Sequence, residues 1–111
     1  MEYKEFNYSD KLELEKLLSS PNKETKIGAI IGMVNGVDDW VWVQEKLLEF
    51  IHDDDFWIAK NAIMGLADIA RIHRNLDLDK VERALNEIKN KDLEGIINSV
   101  KDDIEIYIKK S

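Results

Sequence analysis

One pair of adjacent residues in the sequence suggests metal chemistry, His52 followed by Asp53. In metal-dependent phosphohydrolases such a pair supplies two ligands, and further His and Asp side chains on neighbouring helices complete the site. The only other histidine of the chain is His73, and two histidines cannot complete a centre of this kind. We therefore expect His52 to end one helix and Asp53 to begin the next, where the helix dipoles favour both side chains. We predict no metal site.

Other catalytic patterns are absent from the sequence. It has no Gly-x-Ser-x-Gly elbow, no glycine-rich phosphate loop and no His-Glu-x-x-His motif. Because it has no cysteine, it has neither a thiolate ligand nor a thiol nucleophile. The carboxylate pairs Asp38–Asp39 and Asp102–Asp103 stand among other charges, so we expect them to be solvated rather than catalytic. The sequence predicts a protein that is not an enzyme and needs no cofactor.

Composition narrows the class of protein further. The 111 residues fit a single domain, 1–111, and 44% hydrophobic content is enough to build a core. The net charge of −7, from 23 acidic and 16 basic residues, repels a phosphate backbone and favours a basic partner over nucleic acid. The N-terminus leads into no long apolar run, and the apolar stretch near 27–34 is too short to span a bilayer. We expect a cytoplasmic protein that does not bind membranes.

The elements that position the functional residues are predicted to be helices. One Pro and five Gly leave few sites for tight turns, and clean apolar–polar alternation is missing outside the last helix-like stretch. Six helical segments cover about 9–19, 20–35, 38–52, 53–74, 77–89 and 90–109, with starts at Ser9, Ser20-Pro21, Asp38, Asp53–Asp55, Asp77 and Asn90. Gly36 closes the second segment. Short connections make successive helices antiparallel and adjacent.

A sequence repeat groups these helices into pairs. The segment 29–34 (AIIGMV) recurs as 62–67 (AIMGLA) and, at the same spacing, again as 95–100 (GIINSV). The odd-numbered helices match at a spacing that is longer by one position, for example Leu47 with Val81. Each copy begins with a small residue, Ala or Gly, which would permit close approach of stacked helices. The pattern predicts three stacked antiparallel helical hairpins. The alternative is that short apolar segments match by chance.

The second hairpin carries an ordered pattern of apolar, small and acidic residues. It consists of WVQ at 42–44, LL at 47–48, DDD at 53–55, Ala59, Ala62, Gly65, ADIARIH at 67–73 and LDL at 76–78. This pattern, over about residues 12–108, resembles HEAT-like repeats. More narrowly, it resembles the small HEAT-repeat immunity proteins of bacterial polymorphic toxin and contact-dependent growth inhibition systems. The resemblance implies a six-helix α-solenoid and an acidic cytosolic protein that binds and neutralises one cognate toxin domain.

Rotation by 100° per residue gives the fourth helix two faces. The face predicted to meet the core carries Ala59, Ala62, Ile63, Leu66, Ile69 and Ala70. The opposite face, which we call the outward strip, consists of Trp57, Asn61, Met64, Asp68 and Arg71. Aromatic, Met and charged side chains together are typical of a protein interface, so these five are candidate toxin-binding residues. Alternatively, Trp57 folds onto Phe56 and Met64 is buried.

Equivalent positions extend the outward strip to the neighbouring repeats. They are Glu24, Gly28, Ile31 and Asn35 on the second helix, and Glu94, Ile97, Lys101 and Ile104 on the sixth. The resemblance implies that these second helices of each hairpin line a concave surface.

Three further residues are candidates for toxin binding. Trp42 is turned roughly opposite to the apolar stripe of the third helix, so it either binds the toxin or seals a groove against the first or fifth helix. Asp54 and Asp55 belong to an acidic cluster larger than capping requires. The surplus charge would attract a basic partner, such as a nuclease toxin.

Two function classes remain open from the sequence. In the first, an immunity protein covers the active site or substrate groove of a basic toxin domain. In the second, the same scaffold serves as an adaptor, a subunit of a larger assembly or a handler of a small apolar ligand such as a bilin chromophore, held around Trp57, Met64 and Ile97. A well-formed pocket at these three residues would favour the second class.

Overall fold

Residues 10–109 are described by the computed structural model, and the regular structure of this part of the chain is entirely helical. Its six α-helices are α1 (Lys11–Leu18), α2 (Lys23–Gly36), α3 (Trp40–Phe50), α4 (Phe56–His73), α5 (Leu78–Asn86) and α6 (Glu94–Ile104). A 3-10 turn, Lys91–Leu93, leads into α6. The predicted all-α fold is confirmed. None of the helices between residues 10 and 109 is long and apolar enough to cross a membrane.

Side-chain caps start α1 and α2, but not at the predicted residues. The carboxylate of Asp10 accepts hydrogen bonds from two backbone N–H groups in the first turn of α1, and the predicted cap, Ser9, lies outside the described residues. Asn22 caps α2 by accepting a hydrogen bond from the N–H of Thr25 at 2.9 Å. The predicted cap Ser20 instead accepts from the N–H of Asn22. Both residue types hydrogen-bond locally to backbone, and here the serine closes the turn before the helix.

The acidic clusters before α3 and α4 divide their hydrogen bonds among neighbouring carboxylates. Asp39 caps α3, so the prediction of Asp38 was wrong by one position. Asp55 caps α4 by accepting from two N–H groups of its first turn, and Asp53 accepts from the N–H of Asp55 at 2.8 Å. Asp54 is exposed and takes no part in either cap. Asp55 alone therefore caps α4, while Asp53 holds the backbone of the capping residue.

The helices form two layers, with the second helix of each hairpin in one of them. In this second-helix layer α4 lies between α2 and α6 and packs against both, and it also packs against α3 of the other layer. The six residues predicted for the core face of α4 are all buried. This confirms the predicted orientation of α4 and leaves the outward strip on the opposite side.

Polar contacts join the first helices, α1, α3 and α5. Lys80 of α5 pairs with Glu45 of α3 at 2.8 Å, which lowers the pKa of Glu45 and raises the pKa of Lys80. The buried Gln44 of α3 accepts a hydrogen bond from the N–H of Asp77, the predicted cap of α5, at 2.8 Å. An ion pair also joins α1 to α3. The start of α5 is thereby held on α3.

The third hairpin is shifted by one position relative to the repeat read from the sequence. The buried side chains of α6 and the turn before it are Leu93, Ile97, Val100 and Ile104. In order, they correspond to the buried residues 59, 63, 66 and 70 of α4, which is a longer spacing than the one between 62–67 and 95–100. The predicted close contact at Gly95 was wrong, because Gly95 is exposed and a Cβ there would meet no described atom within 4 Å. The alignment of segment 95–100 with 62–67 therefore placed α6 out of register by one position.

The close approach between helices occurs at Gly65. A Cβ at this position would lie 3.0 Å from both Cδ atoms of Leu47 on α3 and 3.1 Å from Cγ2 of Val34 on α2. Since real Cβ contacts are rarely so short, the missing side chain lets α4 contact α2 and α3 at the same level. This glycine fixes the spacing of the stack.

The chain beyond α6 changes its helical geometry. The predicted sixth helix runs to Lys109 without a break, whereas residues Glu105–Lys109 form a π-helical turn. Lys109 pairs with Glu82 of α5 at 2.8 Å, and the guanidinium of Arg74 lies 4.9 Å from the ring centre of Tyr107. These contacts hold the turn against α5 and the end of α4.

Candidate protein-binding surface

The outward strip runs along α4 on the side away from the core. Trp57 is 50% exposed and Met64 is 44% exposed, and Arg71 is also exposed. Asn61 and Asp68 are partly exposed, and Oδ1 of Asp68 lies 3.3 Å from Nη2 of Arg71 in an ion pair. The five residues therefore share one face, as the sequence predicted, with large apolar groups next to a charged pair.

The ring of Trp57 is held in a defined position although half of it is exposed. Its edge-to-face partner is Phe56, with ring centres 5.1 Å apart and an interplanar angle of 88°. The ammonium of Lys60 lies 5.0 Å from the Trp57 ring centre. Asn61 donates from Nδ2 to the carbonyl of Trp57 at 2.8 Å. The Trp57 ring therefore contacts Phe56, as the alternative from the sequence predicted, and is half exposed at the same time.

The sequence predicted that the outward strip extends onto both α2 and α6. In the structure it extends onto α2 only. Ile31, the residue of α2 equivalent to Met64, is 50% exposed. Ile97 and Ile104 of α6, also predicted to line this surface, are buried at 7% and 1% exposure. The prediction for α6 was wrong because the shifted register places Ile97 at the level of Ile63, which belongs to the core.

A groove of about 340 Å³ lies between α4 and α6, next to the outward strip. Its apolar lining comes from Met64 and Ala67 on α4 and from Ile96 and Val100 on α6. Trp57 and Ile97 do not line it, so this groove is not the pocket expected for an apolar ligand around Trp57, Met64 and Ile97.

Polar groups from both helices line the same groove. Asp68 projects from α4, and Ser99 and Asp103 project from α6. The α6 residues were not predicted from the sequence. Ile96, Ser99 and Asp103 follow the helical spacing of three and then four, which places them on one helix face, and the sequence alone could have shown this. That this face meets Met64 and Asp68 depends on how α4 and α6 pack.

The two acidic candidates at the start of α4 differ in their surroundings. Burial raises the pKa of Asp55, but hydrogen bonds from the N–H groups of Ile58 and Trp57, together with the ammonium of Lys23 at 3.4 Å, hold that pKa below its ordinary value. Asp55 thus has a structural role. Asp54 is exposed and lies at a cleft on the end of the molecule rather than in the α4–α6 groove.

Trp42 does not lie on the outward strip. It is half-buried against the core, with the ammonium groups of Lys11 and Lys46 at 5.5 and 5.6 Å from its ring centre. Lys46 also pairs with Glu15 of α1. Trp42 therefore extends from α3 towards α1. This is the sealing role against the first helix that the sequence left open.

The His52–Asp53 pair lies just after α3, which ends at Phe50. His52 is exposed. Within residues 10–109, no group of three or more His, Asp or Glu side chains is arranged to hold a metal ion. The absence of a cofactor stays a prediction.

Comparison with known proteins gave no match: no family model fits the chain, and no curated protein or solved structure matches it. The fold and this surface define the class of protein, an all-α stack of helical hairpins with an exposed apolar and acidic face on its second-helix layer.

Proposed function

We propose that this chain is an immunity protein, which binds a basic toxin domain and neutralises it by covering its active site. The observation that carries the proposal is the exposed apolar row formed by Ile31, Trp57 and Met64 across α2 and α4. Large apolar side chains that share one exposed face mark a contact surface more strongly than scattered ones. Binding of this kind requires no catalytic group in the chain.

The composition of the surface supports a protein partner. Trp is enriched among the residues that dominate binding energy, and a ring already fixed by Phe56 and Lys60 loses little side-chain entropy on binding. Met64 adds an adaptable apolar contact further along the same helix face. The surface thus combines a rigid anchor with a deformable neighbour.

The charge of the chain supports a basic partner. The excess of acidic residues gives a net charge of −7, and exposed carboxylates such as Asp54 would accelerate encounter with a cationic domain. Together with the resemblance to small HEAT-repeat immunity proteins, this favours a toxin domain acting in the cytoplasm of a bacterium. A nuclease, which needs a basic surface to bind its substrate, fits this charge best.

The ligand-handling alternative has less support. It requires an apolar pocket at Trp57, Met64 and Ile97, whereas Ile97 is buried and Trp57 does not line the α4–α6 groove. The volume of that groove is also near the lower end for a chromophore, since pockets for drug-sized ligands span about 300–1,000 Å³.

The proposal is tested by co-expression with the protein encoded by the adjacent gene, which the proposal predicts to carry a basic toxin domain. We expect the unaltered chain to restore growth and to co-purify with the toxin domain, and we expect Trp57→Ala to lose both effects. Val41→Ala on α3 is the matched control, because Val41 is also 50% exposed but lies in the other layer. Toxicity that persists in the presence of the unaltered chain would contradict the proposal.

A further inference from the structure

We infer that the groove between α4 and α6 receives an arginine side chain of the partner protein. This inference rests on the proposed function, since it specifies how a basic partner engages the surface next to the outward strip. The occupant is an exposed arginine on the partner, and its recognition combines the shape of the groove with its charge.

The lining of the groove suits the aliphatic part of an arginine. Met64 and Ala67 of α4 face Ile96 and Val100 of α6 across a volume of about 340 Å³. Arginine buries its three methylene groups along apolar surface while its charged end stays near polar groups. A wholly apolar side chain would leave the polar groups of this groove without partners.

The carboxylates of the groove suit the guanidinium. Asp68 forms an ion pair with Arg71 at 3.3 Å and with no other residue of the described part of the chain. Asp103 forms no ion pair within residues 10–109, although it also lines the groove. A guanidinium has five N–H donors in one plane, so it can serve carboxylates on both helices, whereas an ammonium acts as a point charge.

The absence of a side chain at Gly95 keeps this groove open. Gly95 lines the groove, and a Cβ at this position would meet no described atom within 4 Å. A larger residue would therefore enter the groove without disturbing the core. Gly28 on α2 is open in the same way but does not line the groove, which makes it a matched control.

The experiment measures binding of a blocked Gly-Arg-Gly peptide to the isolated chain by NMR chemical-shift perturbation. A Gly-citrulline-Gly peptide is the control, since citrulline keeps the shape of arginine and removes its charge. We expect shifts at Ser99 and Met64 with the arginine peptide, and binding at least about threefold weaker with citrulline, as the loss of an exposed ion pair produces. Equal binding of the two peptides, or no shift at these residues, would overturn the inference.

Variants separate this inference from the proposed function. Asp103→Asn and Gly95→Leu are expected to abolish the arginine-dependent shifts, and Gly28→Leu to preserve them. In the co-expression experiment, Gly95→Leu should weaken protection, whereas Val41→Ala on α3, outside this surface, should not. If Gly95→Leu protects fully while Trp57→Ala does not, the arginine inference is overturned and the proposed function stands. If the unaltered chain gives no protection although the arginine peptide binds, the proposed function fails instead.

Discussion

Trp42 and Trp57 are the same residue type in opposite roles. Trp42 packs between α1 and α3 with two lysine ammonium groups over its ring, so its apolar area is already used for folding. Trp57 keeps half of its surface exposed while its neighbours fix its orientation. At the scale of single residues, burial therefore separates the tryptophan that stabilises the chain from the one available to a partner.

We predict that Trp42→Ala destabilises the chain without changing its binding. Truncation of a fully buried aromatic residue costs about 3–5 kcal/mol, and because Trp42 is only half-buried we expect about 2 kcal/mol. Urea denaturation followed by far-UV circular dichroism measures this loss. Trp57→Ala serves as the comparison and should leave the unfolding midpoint nearly unchanged. A reversed order of the two midpoints would contradict the roles assigned to these residues.

Sequence patterns located the residues of the outward strip but not the α6 residues of the groove. Trp57 and Met64 were found because helical periodicity within one long element decides which side faces the core. Ser99 and Asp103 were missed because their role depends on a second helix. The choice between Asp38 and Asp39 as a cap also failed, since neighbouring Asp residues compete for the same N–H groups.

At the scale of elements, the position of α4 depends on a glycine. We predict that Gly65→Ala destabilises the stack by about 1 kcal/mol, because the added Cβ would lie 3.0 Å from both terminal methyl groups of the fully buried Leu47. Gly28→Ala on α2 is the matched control. Its Cβ meets open space, so higher helix propensity should stabilise the chain by about 0.5–1 kcal/mol. Denaturation midpoints that move in the same direction would contradict the close approach at Gly65.

The ion pair between α3 and α5 predicts a dependence of stability on pH. Lys80 lowers the folded-state pKa of Glu45 below its ordinary value of 4.5. The pair therefore contributes stability above pH 4.5, and this contribution is lost as the pH falls through the lowered pKa. We expect Glu45→Gln to unfold at a lower urea concentration than the unaltered chain at neutral pH. Because both side chains are exposed, the difference should be small and should shrink with salt.

The control for this prediction is acidification. At a pH of about 2–3 the unaltered chain loses the same charge, so the two urea midpoints should converge. A difference between them that is as large in acid as at neutral pH would show that Glu45 acts through packing and not through its charge.

The register of the third hairpin limited what the repeat could predict for the element scale. Small residues and Ile recur in the sequence at the spacing that separates 29–34 from 62–67, but burial of Leu93, Ile97 and Val100 follows a spacing longer by one position. A shift of one position turns a helix by about 100°, which moved Ile97 from the expected surface into the core. Short similar sequence segments identify the stacked helical unit correctly, but they do not determine how its helix is rotated about its axis.

At the scale of the whole molecule, the proposed function assigns charge and the outward strip to different steps of binding. Under the proposed function, the net charge of −7 would act over a distance and affect encounter, whereas the outward strip would act after contact. The two contributions therefore separate kinetically: charge appears in the association rate and the apolar contacts in the dissociation rate. Asp54→Lys, with Asp79→Lys on α5 as a control of equal charge change, tests whether the encounter is directed to the start of α4. We expect only the first substitution to slow association markedly.

The most direct test of the proposed function is the kinetics with which this chain binds the toxin domain predicted for the adjacent gene, measured by surface plasmon resonance at several salt concentrations. We predict that association slows as salt rises, because screening acts over about 10 Å at about 0.1 M. We also predict that Trp57→Ala raises the dissociation rate about 30-fold, the equivalent of a hot-spot loss of about 2 kcal/mol, while Val41→Ala does not. Association that is independent of salt, with Trp57→Ala dissociating no faster than Val41→Ala, would contradict the central claim that the outward strip binds a basic partner.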